Sequence, residues 1–258
     1  MLFLRSLIFN IAWYLNLVLQ MVFQTPYYFF LSHKSAVKVS RRWANSAHWL
    51  HRTIVGAYFE VLEIENIPDG SCIIASKHQS IWECYALYAL LPDAAFVLKS
   101  DLMKIPLFGW YVKKVHQIPI YRNKKLSSLR TMITHAKEKI ATNRQIVIFP
   151  EGTRKSPGDV PHYRHGITKL YLELGCPVVP VALNSGLYWP RRKFLRHPGI
   201  IRTWFLKPIM PGLTEEEFLE ELEKRIENAC DILYLKASQD DLNPPISEKV
   251  QEKIDSVQ

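Results

Sequence analysis

Cysteine is scarce in this sequence. Only four cysteines occur among the 258 residues, at Cys72, Cys84, Cys176 and Cys230. Because they lie far apart and form no metal-like pair, we expect reduced thiols in the core of a protein that faces the cytosol. The spacing gives no sign of a metal site built on cysteine, and we expect no metal ligands.

Signatures of nucleic-acid-binding modules are also missing, although the chain is basic. Lys and Arg total 33 against 24 for Asp and Glu, which gives a formal net charge of +9 at pH 7. Such a surplus favours anionic partners, namely nucleic acid, a phospholipid surface or phosphorylated substrates. Because the sequence has neither zinc-finger spacing nor an aromatic RNA-binding pattern, we expect no nucleic-acid partner.

The sequence contains no internal repeats and no low-complexity segments, so we expect an ordinary globular domain rather than a repeat protein.

The composition allows one domain and a further segment. With 48% hydrophobic residues, the chain can bury the core of one domain and leave a segment for another environment. We expect a membrane-associated two-helix segment at residues 1–56, an α/β domain at 57–238 and a polar C-terminal tail at 239–258. Pro244-Pro245 and the polar residues around them predict that this tail is loosely held.

The first apolar segment covers residues 7–31 and is long enough for a transmembrane helix. Asn16, Gln20 and Gln24 recur at every fourth residue and therefore share one face. This polar stripe indicates that one side packs on protein or faces lipid headgroups, so the helix either spans the bilayer or lies in one leaflet. A cleaved signal peptide is not expected, because a small-residue cleavage site is missing. Pro26 predicts the end of the helix or a kink.

Residues 33–56 have the pattern of a basic amphipathic helix. Apolar residues at helical spacing alternate with five basic ones: Lys34, Lys38, Arg41, Arg42 and Arg52. Such a helix lies in the interface of an anionic leaflet, where each basic residue contributes about 1 kcal/mol. The alternative is a core-packed helix with a solvated basic face, but the adjacent apolar helix favours the membrane. The positive-inside rule places this side on the cytoplasmic face, and we expect the cell inner membrane.

Beyond Gly56, short apolar runs alternate with helical segments. Strands are predicted over residues 59–64, 72–75, 95–98, 117–121, 145–149, 178–183 and 201–206. Helices are predicted over residues 81–91, 126–141, 166–174 and 215–236. This alternation predicts an α/β fold with a largely parallel or mixed sheet flanked by helices. His78, Arg122 and Glu151 each follow a predicted strand, so parallel strands would bring them to one edge of the sheet.

The stretch 77–83, Lys-His-Gln-Ser-Ile-Trp-Glu, stands between a predicted strand and a predicted helix. On a continuous helix His78 and Glu83 would point about 140° apart, so they can meet only if the chain turns between them. Ser80 and Glu83 fit a capping box with Ser80 as N-cap and Glu83 at position N3. His78 would then stand before the cap, where a carboxylate can orient its imidazole as a general base. The alternative is that Glu83 only caps the helix and His78 is an ordinary surface histidine.

This stretch resembles the His-x-x-x-x-Asp motif of glycerolipid acyltransferases, in the form found in bacterial 1-acylglycerol-3-phosphate acyltransferases. Three further stretches resemble motifs of that family in the same order: Ile-Pro-Ile-Tyr-Arg at 118–122, Phe-Pro-Glu-Gly-Thr-Arg at 149–154 and Val-Pro-Val-Ala-Leu at 179–183. Two positions depart from the family pattern. Glu83 stands where most members have Asp, and Tyr121 stands where an Asp commonly precedes the arginine.

The resemblance implies that His78 is the catalytic base and that Glu83 orients it. It assigns the binding of glycerol phosphate to Arg122 and to the turn formed by Glu151, Gly152, Thr153 and Arg154. Arginine suits this task because its planar fork binds phosphate bidentately, although both arginines can also be read as strand-end surface cations. We add Lys99, which ends a predicted strand, as a further phosphate contact. The segment 179–183 is a core strand on its pattern, whereas the family associates it with the acyl donor.

The function that the resemblance implies is acyl transfer from acyl-CoA or acyl-carrier protein to the sn-2 hydroxyl of 1-acyl-glycerol-3-phosphate, giving phosphatidate in phospholipid biosynthesis. It implies no cofactor. Since Tyr121 departs from the pattern, the same chemistry on another lysophospholipid or a lyso-aminolipid stays an alternative. A second alternative is a non-catalytic membrane protein that only holds anionic headgroups. The intact His78 and Glu83 pair favours an enzyme that meets its lysophosphatidate acceptor at an anionic membrane surface.

Overall fold

The computed structural model describes residues 1–121 and 125–257. Within these ranges one sheet contains seven strands: β1 (Ala57–Leu62), β2 (Ile73–Ser76), β3 (Ala94–Lys99), β4 (Ile118–Ile120), β5 (Gln145–Ile148), β6 (Val178–Leu183) and β7 (Gly199–Phe205). The α-helices of the same ranges are α1 (Leu2–Tyr28), α2 (His33–Leu50), α3 (Trp82–Leu90), α4 (Phe108–Lys114), α5 (Lys125–Ile140), α6 (Gly166–Leu174), α7 (Ser185–Tyr188), α8 (Glu215–Gln239) and α9 (Glu248–Asp255).

The strands follow the order β1-β7-β6-β2-β5-β3-β4 across the sheet. Strands β6, β2, β5, β3 and β4 are parallel to one another, whereas β7 pairs antiparallel with β6 and parallel with β1. The sheet is therefore mixed around a parallel centre. Ala75 of β2 pairs with Ile148 of β5 and with Pro180 of β6, so the carboxyl ends of these three strands lie side by side. Ligands of open α/β sheets bind at this edge.

Both faces of the central strands are buried. Ile73 and Ala75 of β2 belong to one apolar cluster, and Cys72 and Ile74 belong to another, as expected for side chains that alternate across a sheet. Helix α8 contributes buried residues such as Ile226 to the first cluster. Strands covered on both faces need apolar residues at successive positions, which explains the continuous apolar runs in the sequence.

Helices α1 and α2 pack together through the polar stripe of α1. Asn16 Nδ2 donates to Ser46 Oγ at 2.9 Å, and Gln20 Nε2 donates to the same hydroxyl at 2.9 Å. The stripe therefore contacts protein, which was one of its two predicted environments. Apolar side chains elsewhere on α1, such as Leu15 and Val18, are exposed. Within the described ranges, α1 is the one helix that is long and apolar enough to cross a membrane.

Both halves of α1 contact the α/β domain. Near the start of the helix, Ser6 Oγ accepts a hydrogen bond from the Arg196 N–H at 2.9 Å. Near its end, the Tyr111 hydroxyl donates to the Met21 carbonyl at 2.9 Å. Because the same domain holds the helix at two distant points, α1 lies along the domain rather than projecting from it.

The predicted α/β fold with a mixed sheet is confirmed, and the strand boundaries differ from the predicted ones by at most two residues. Helix α1 covers residues 2–28 rather than 7–31 and continues through Pro26 for two residues. The basic segment forms α2 and continues as a short π-helix, His51–Val55, which ends at Gly56 with a φ of 81°. Helix α4 was not predicted; its seven residues are too few for a clear periodic pattern.

The prediction of a loosely held C-terminal tail is wrong. Residues 248–255 form α9, which buries Val250 and Ile254 against the core cluster that includes α8. Lys249 Nζ also lies 2.7 Å from Asp159 Oδ1. Two apolar residues one helical turn apart are enough for one short buried face, but they are easily overlooked in a polar sequence.

Candidate active site

His78 follows the carboxyl end of β2, the middle strand of the seven-stranded sheet. Glu151 follows the neighbouring strand β5, and its Oε2 accepts a hydrogen bond from the His78 N–H at 3.0 Å. Ser185 follows β6 on the other side, and its Oγ donates to Glu83 Oε2 at 2.8 Å. The predicted convergence of His78 and Glu151 at one sheet edge is therefore present. Arg122 lies outside the described residues.

Glu83 is fully buried, and both of its carboxylate oxygens accept hydrogen bonds. Oε1 lies 2.8 Å from His78 Nδ1 and accepts from the N–H groups of Gln79 and Ser80, each at 2.7 Å. Oε2 accepts from the Ser185 hydroxyl. These contacts hold the carboxylate in one orientation. Glu83 is therefore placed to orient the imidazole of His78 and does more than cap a helix.

The capping arrangement differs from the predicted one by a shift along the chain. Helix α3 begins at Trp82, its N-cap is Ile81, and Glu83 is therefore its second residue rather than its third. Ser80 Oγ accepts from the Trp82 N–H at 3.2 Å, while Glu83 accepts from the Ser80 N–H. One of the two bonds of a capping box is therefore present, whereas the other goes to Trp82 instead of Glu83.

The imidazole of His78 is held on two sides and remains 14% exposed. Its ring stacks on Phe149, with centroids 4.0 Å apart and an interplanar angle of 15°. The His78 carbonyl accepts from the Lys155 N–H at 2.8 Å. Because Glu83 accepts at Nδ1, we assign the hydrogen of the neutral ring to that atom, which makes Nε2 the basic atom.

Glu151 contacts the interior of the protein. The residue is 1% exposed, and its Oε1 lies 2.9 Å from the Nζ of Lys77, which is also buried. Burial raises the pKa of the Glu151 carboxyl above its ordinary value, while Lys77 and the His78 N–H lower it. We expected Glu151 to contact the glycerol phosphate. The structure instead places its carboxylate on the backbone of the candidate base, which supports a positioning role.

The remainder of the 151–154 turn is partly exposed beside this carboxylate. Gly152 has a φ of 63°, a backbone conformation that favours glycine, and a Cβ there would come within 2.8 Å of Arg164 Nε. Thr153 and Arg154 are half-buried. The Arg154 carbonyl accepts from Arg191 Nη1 at 2.6 Å. Glycine thus allows a tight turn that leaves Thr153 and Arg154 partly accessible.

Lys99 is exposed at the carboxyl end of β3. It pairs in register with Ile120 of β4, two residues before Arg122. Strand β3 neighbours β5, so Lys99 lies on the same edge of the sheet as His78 but two strands away. Because Lys99 is two strands away from His78, its position fits a contact at the periphery of a bound phosphate better than a contact beside the candidate base.

Cys84 differs from the other cysteines. Cys72, Cys176 and Cys230 are buried, as predicted, whereas Cys84, next to Glu83, retains some exposed surface. Its thiol is nevertheless desolvated by the surrounding protein, which raises the pKa of the thiol above the ordinary value, and the Glu83 carboxylate raises it further. Since the thiolate is the nucleophilic form, these surroundings make Cys84 a poor nucleophile.

Three residues of this cluster were not predicted from the sequence: Lys77, Glu227 and Ser185. Lys77 Nζ donates to Glu227 Oε1 and Oε2 of α8 at 2.7 and 2.9 Å, and the Tyr163 hydroxyl donates to Glu227 Oε1 at 2.9 Å. The adjacency of Lys77 to His78 was an available signal. Glu227 and Ser185 are 150 and 102 residues from their partners, and no local pattern connects such positions.

Taken together, these groups suit proton transfer at a partly exposed imidazole. A histidine is oriented by an anchored carboxylate and stands close to a turn that carries an arginine. In the part of the chain that the structure describes, no three His, Cys, Asp or Glu side chains are grouped to hold a metal ion. The residues present fit a general base that removes a proton from a hydroxyl group.

Comparison with known sequences agrees with this chemistry. The acyltransferase family model matches residues 58–184, a range that contains His78, Glu83 and the 151–154 turn. A 1-acyl-sn-glycerol-3-phosphate acyltransferase of Pseudomonas aeruginosa is 35% identical over 190 residues, which cover 73% of this chain and 74% of that protein. A human 1-acyl-sn-glycerol-3-phosphate acyltransferase beta is 27% identical over 164 residues, or 62% of this chain and 59% of that protein.

A solved structure shares the fold. The crystal structure of the 1-acyl-sn-glycerophosphate acyltransferase PlsC from Thermotoga maritima matches with a TM-score of 0.77 and 23% sequence identity. The match covers 90% of this chain and 98% of that protein, so the two proteins share most of their architecture.

Proposed function

The chain belongs to the acyltransferase family, and from this premise we propose that it transfers an acyl chain from a thioester donor to the sn-2 hydroxyl of 1-acyl-glycerol-3-phosphate, giving phosphatidate. The observation that carries the proposal is the His78 Nδ1 to Glu83 Oε1 contact of 2.8 Å, made by a fully buried carboxylate under a partly exposed imidazole. The names of the relatives support the choice of acceptor.

In the proposed reaction, His78 Nε2 takes the proton of the acceptor hydroxyl as its oxygen attacks the thioester carbonyl. The new C–O bond forms and the C–S bond breaks, and the proton then passes from the imidazolium to the leaving sulfur. Glu83 stabilises the positive charge that His78 carries in between. Burial of this carboxylate strengthens the effect, because water does not screen the two charges as it does at a surface.

The acceptor phosphate requires positive charge near the base. We propose that Arg154 contacts it, with Arg122 as a second contact on the strength of the family motif. Thr153 adds a hydroxyl group, and Gly152 allows the backbone to approach the ligand. Lys99 is proposed as an outer contact. Bidentate arginine binding would fix the hydroxyl relative to His78, which is the orientation that proton transfer needs.

The membrane is the source of the acceptor, and α1 is the surface that we propose contacts it. Its exposed apolar residues include Leu15, Val18 and Leu19. Because the α/β domain holds α1 at both Ser6 and Met21, we propose that the helix lies in one leaflet and does not span the bilayer. We further propose the cytoplasmic face of the inner membrane, whose anionic lipids would attract the exposed basic residues of α2, Lys34, Lys38 and Arg42.

The test is an acyl-transfer assay with the purified full-length protein in lipid micelles. Labelled acyl-CoA and acyl-carrier protein are offered as donors, with lysophosphatidate, two other lysophospholipids and a lyso-aminolipid as acceptors. We expect phosphatidate as the main product, and the donor that supports turnover identifies the second substrate. Faster turnover of another lysolipid than of lysophosphatidate would contradict the proposed acceptor. Binding of lipids without acyl transfer to any acceptor would contradict the proposal that the protein is an enzyme.

The membrane contact is tested by charge substitutions on the exposed side of α1. The variant Leu15→Glu/Leu19→Glu should lose sedimentation with anionic vesicles, because two charges would enter the apolar interface. Leu172→Glu is the matched control, since Leu172 is equally exposed but lies on α6. Retention of the double variant on vesicles in high salt, where electrostatic attraction is screened, would contradict a role for α1.

A further inference from the structure

Beneath His78 lies a cluster of buried charges that the proposed reaction does not use directly. Lys77 is 2% exposed, and its ammonium group contacts two carboxylates, Glu151 Oε1 at 2.9 Å and Glu227 Oε1 at 2.7 Å. Buried charges are costly unless they are paired, so the ammonium group and the carboxylates stabilise one another in the interior. Removing Lys77 would leave two carboxylates without their cation next to the candidate base.

The cluster connects to the base through the backbone. Glu151 uses its second oxygen, Oε2, to accept the His78 N–H at 3.0 Å. The two oxygens of this carboxylate therefore contact the cation on one side and the base on the other. A hydrogen bond to an ionised carboxylate is about twice as strong as one between neutral groups, so the charge on Glu151 matters for the position of His78.

From these contacts we propose that Lys77 is a positioning residue, whose ammonium group keeps Glu151 ionised so that the carboxylate holds the His78 backbone in place for proton transfer. The inference rests on the proposed function, because it assigns a role within the same reaction. Glu227 of α8 in turn holds the ammonium group, and the Tyr163 hydroxyl donates to Glu227 at 2.9 Å. Helix α8 is thereby linked to the base of the reaction.

The electrostatic surroundings of Glu151 are consistent with this role. Burial lowers the pKa of Lys77, but the nearby carboxylates outweigh it and the pKa is raised above its ordinary value. The charged or titratable groups around the pair come from several elements: Lys77 and His78 after β2, Tyr163 before α6, and Glu227 and Cys230 on α8. Lys77 is the cation among them, so its removal would shift Glu151 toward the protonated form.

The experiment measures kcat, both KM values and the pH profile of kcat for Lys77→Met in the full-length enzyme. We expect kcat at pH 7 to fall by up to about 100-fold with little change in either KM, because the base is misplaced while the substrates still bind. The acid limb of the profile should move to higher pH, since Glu151 loses the cation that lowers its pKa and then ionises only at higher pH. A purely structural lysine would lower Tm without moving this limb.

Two further variants test whether the charge of Lys77 acts on the rate through the ionisation of Glu151. Lys77→Met/Glu151→Gln should be as slow as Glu151→Gln alone and should lack the shifted limb, because the titrating group is gone. Glu227→Gln removes the carboxylate that competes for Lys77 and that raises the pKa of Glu151, so it should not move the acid limb to higher pH. Ile226→Val, next to Glu227 on α8, controls for general loosening of the helix without a change of charge.

The inference is overturned if Lys77→Met keeps the wild-type acid limb, or if Glu227→Gln moves the limb in the same direction. If Lys77→Met does not fold, Glu151→Gln and Glu227→Gln still decide, because a wild-type kcat in Glu151→Gln rejects the role of the carboxylate. Failure of the proposed function is a different result, since the wild-type enzyme would then transfer no acyl chain to any lysolipid.

Discussion

The strand-end site and the outer surface of α5 contain the same kinds of side chain in very different settings. At the strand ends, His78 Nδ1 lies 2.8 Å from Glu83 Oε1, and the two side chains are 14% and 0% exposed. On α5, His135 Nδ1 lies 3.4 Å from Glu138 Oε2, and these side chains are 38% and 55% exposed. Both pairs are close in sequence, five and three residues apart. Sequence proximity of a histidine and a carboxylate is therefore a weak indication of catalysis.

The difference lies in what holds the carboxylate. Glu83 accepts hydrogen bonds from two backbone N–H groups and from the Ser185 hydroxyl, so the orientation of its carboxylate is fixed before any substrate binds. Glu138 is exposed to water, where an ion pair is screened and contributes little. A histidine becomes an effective base when its carboxylate is anchored and dry, because the imidazolium is then stabilised without reorganisation of solvent. Paired substitutions at the two places test this explanation.

The largest expected effect is that of His78→Ala. Loss of a general base typically lowers the rate by about 10²- to 10⁴-fold, and kcat should fall within that range. His135→Ala is the matched control and should keep the wild-type rate. The measurement is steady-state acyl transfer with Tm as a check on folding. Near-normal turnover by folded His78→Ala would remove the mechanism.

Glu83→Gln comes next, because it keeps the shape of the side chain and removes its charge. We expect kcat to fall by about 100-fold with KM little changed, since imidazole orientation and imidazolium stabilisation are both weakened. Glu138→Gln should leave kcat unchanged. If Glu83 were only a cap, the result would be a stability loss of about 1 kcal/mol without a matching loss of rate, which thermal unfolding would detect.

Arg154→Ala should raise the KM for the acceptor by about 10-fold or more, as expected for the loss of a hydrogen bond to a charged group worth about 1.5–3 kcal/mol. The KM for the donor should change less. Arg130→Ala, an exposed arginine on α5, serves as the control. An equal loss of affinity for donor and acceptor would point to a general effect of the basic surface instead.

Ser185→Ala tests whether anchoring of the carboxylate matters in itself. It removes the hydrogen bond to Glu83 Oε2, and a net loss of about 1 kcal/mol corresponds to a decrease in kcat of about five-fold. Thr134→Ala on α5 should have no effect on the rate. A wild-type kcat in Ser185→Ala would show that the two backbone N–H groups are sufficient to anchor Glu83.

Cys84→Ala should have the smallest effect, because the raised pKa of the thiol disfavours its nucleophilic form. Most of the activity should remain, and mass spectrometry of the enzyme during turnover should detect no acyl adduct at this position. A stable thioester on Cys84 would replace direct transfer to the hydroxyl with a covalent intermediate.

The sequence by itself determined the parts of the protein that depend on neighbouring residues. Apolar runs separated by helical periods predicted the α/β fold, because such runs must be buried on both faces of a sheet. The contact between His78 and Glu83 could also be predicted, since the two residues are only five positions apart and a turn of the chain between them brings them together. The polar stripe of α1 also predicted a face that contacts either protein or lipid headgroups, although not its partner on α2.

Tertiary structure alone decided which distant groups complete the site. Glu227 and Ser185 reach Lys77 and Glu83 because α8 packs on the sheet and β6 neighbours β2, and neither relation leaves a local trace in the sequence. Glu151 shows the same limit, since its motif suggested a ligand contact while the fold turns its carboxylate inward. The physical reason is that side-chain periodicity reports burial along one element, whereas the partners of a buried charge depend on how separate elements pack.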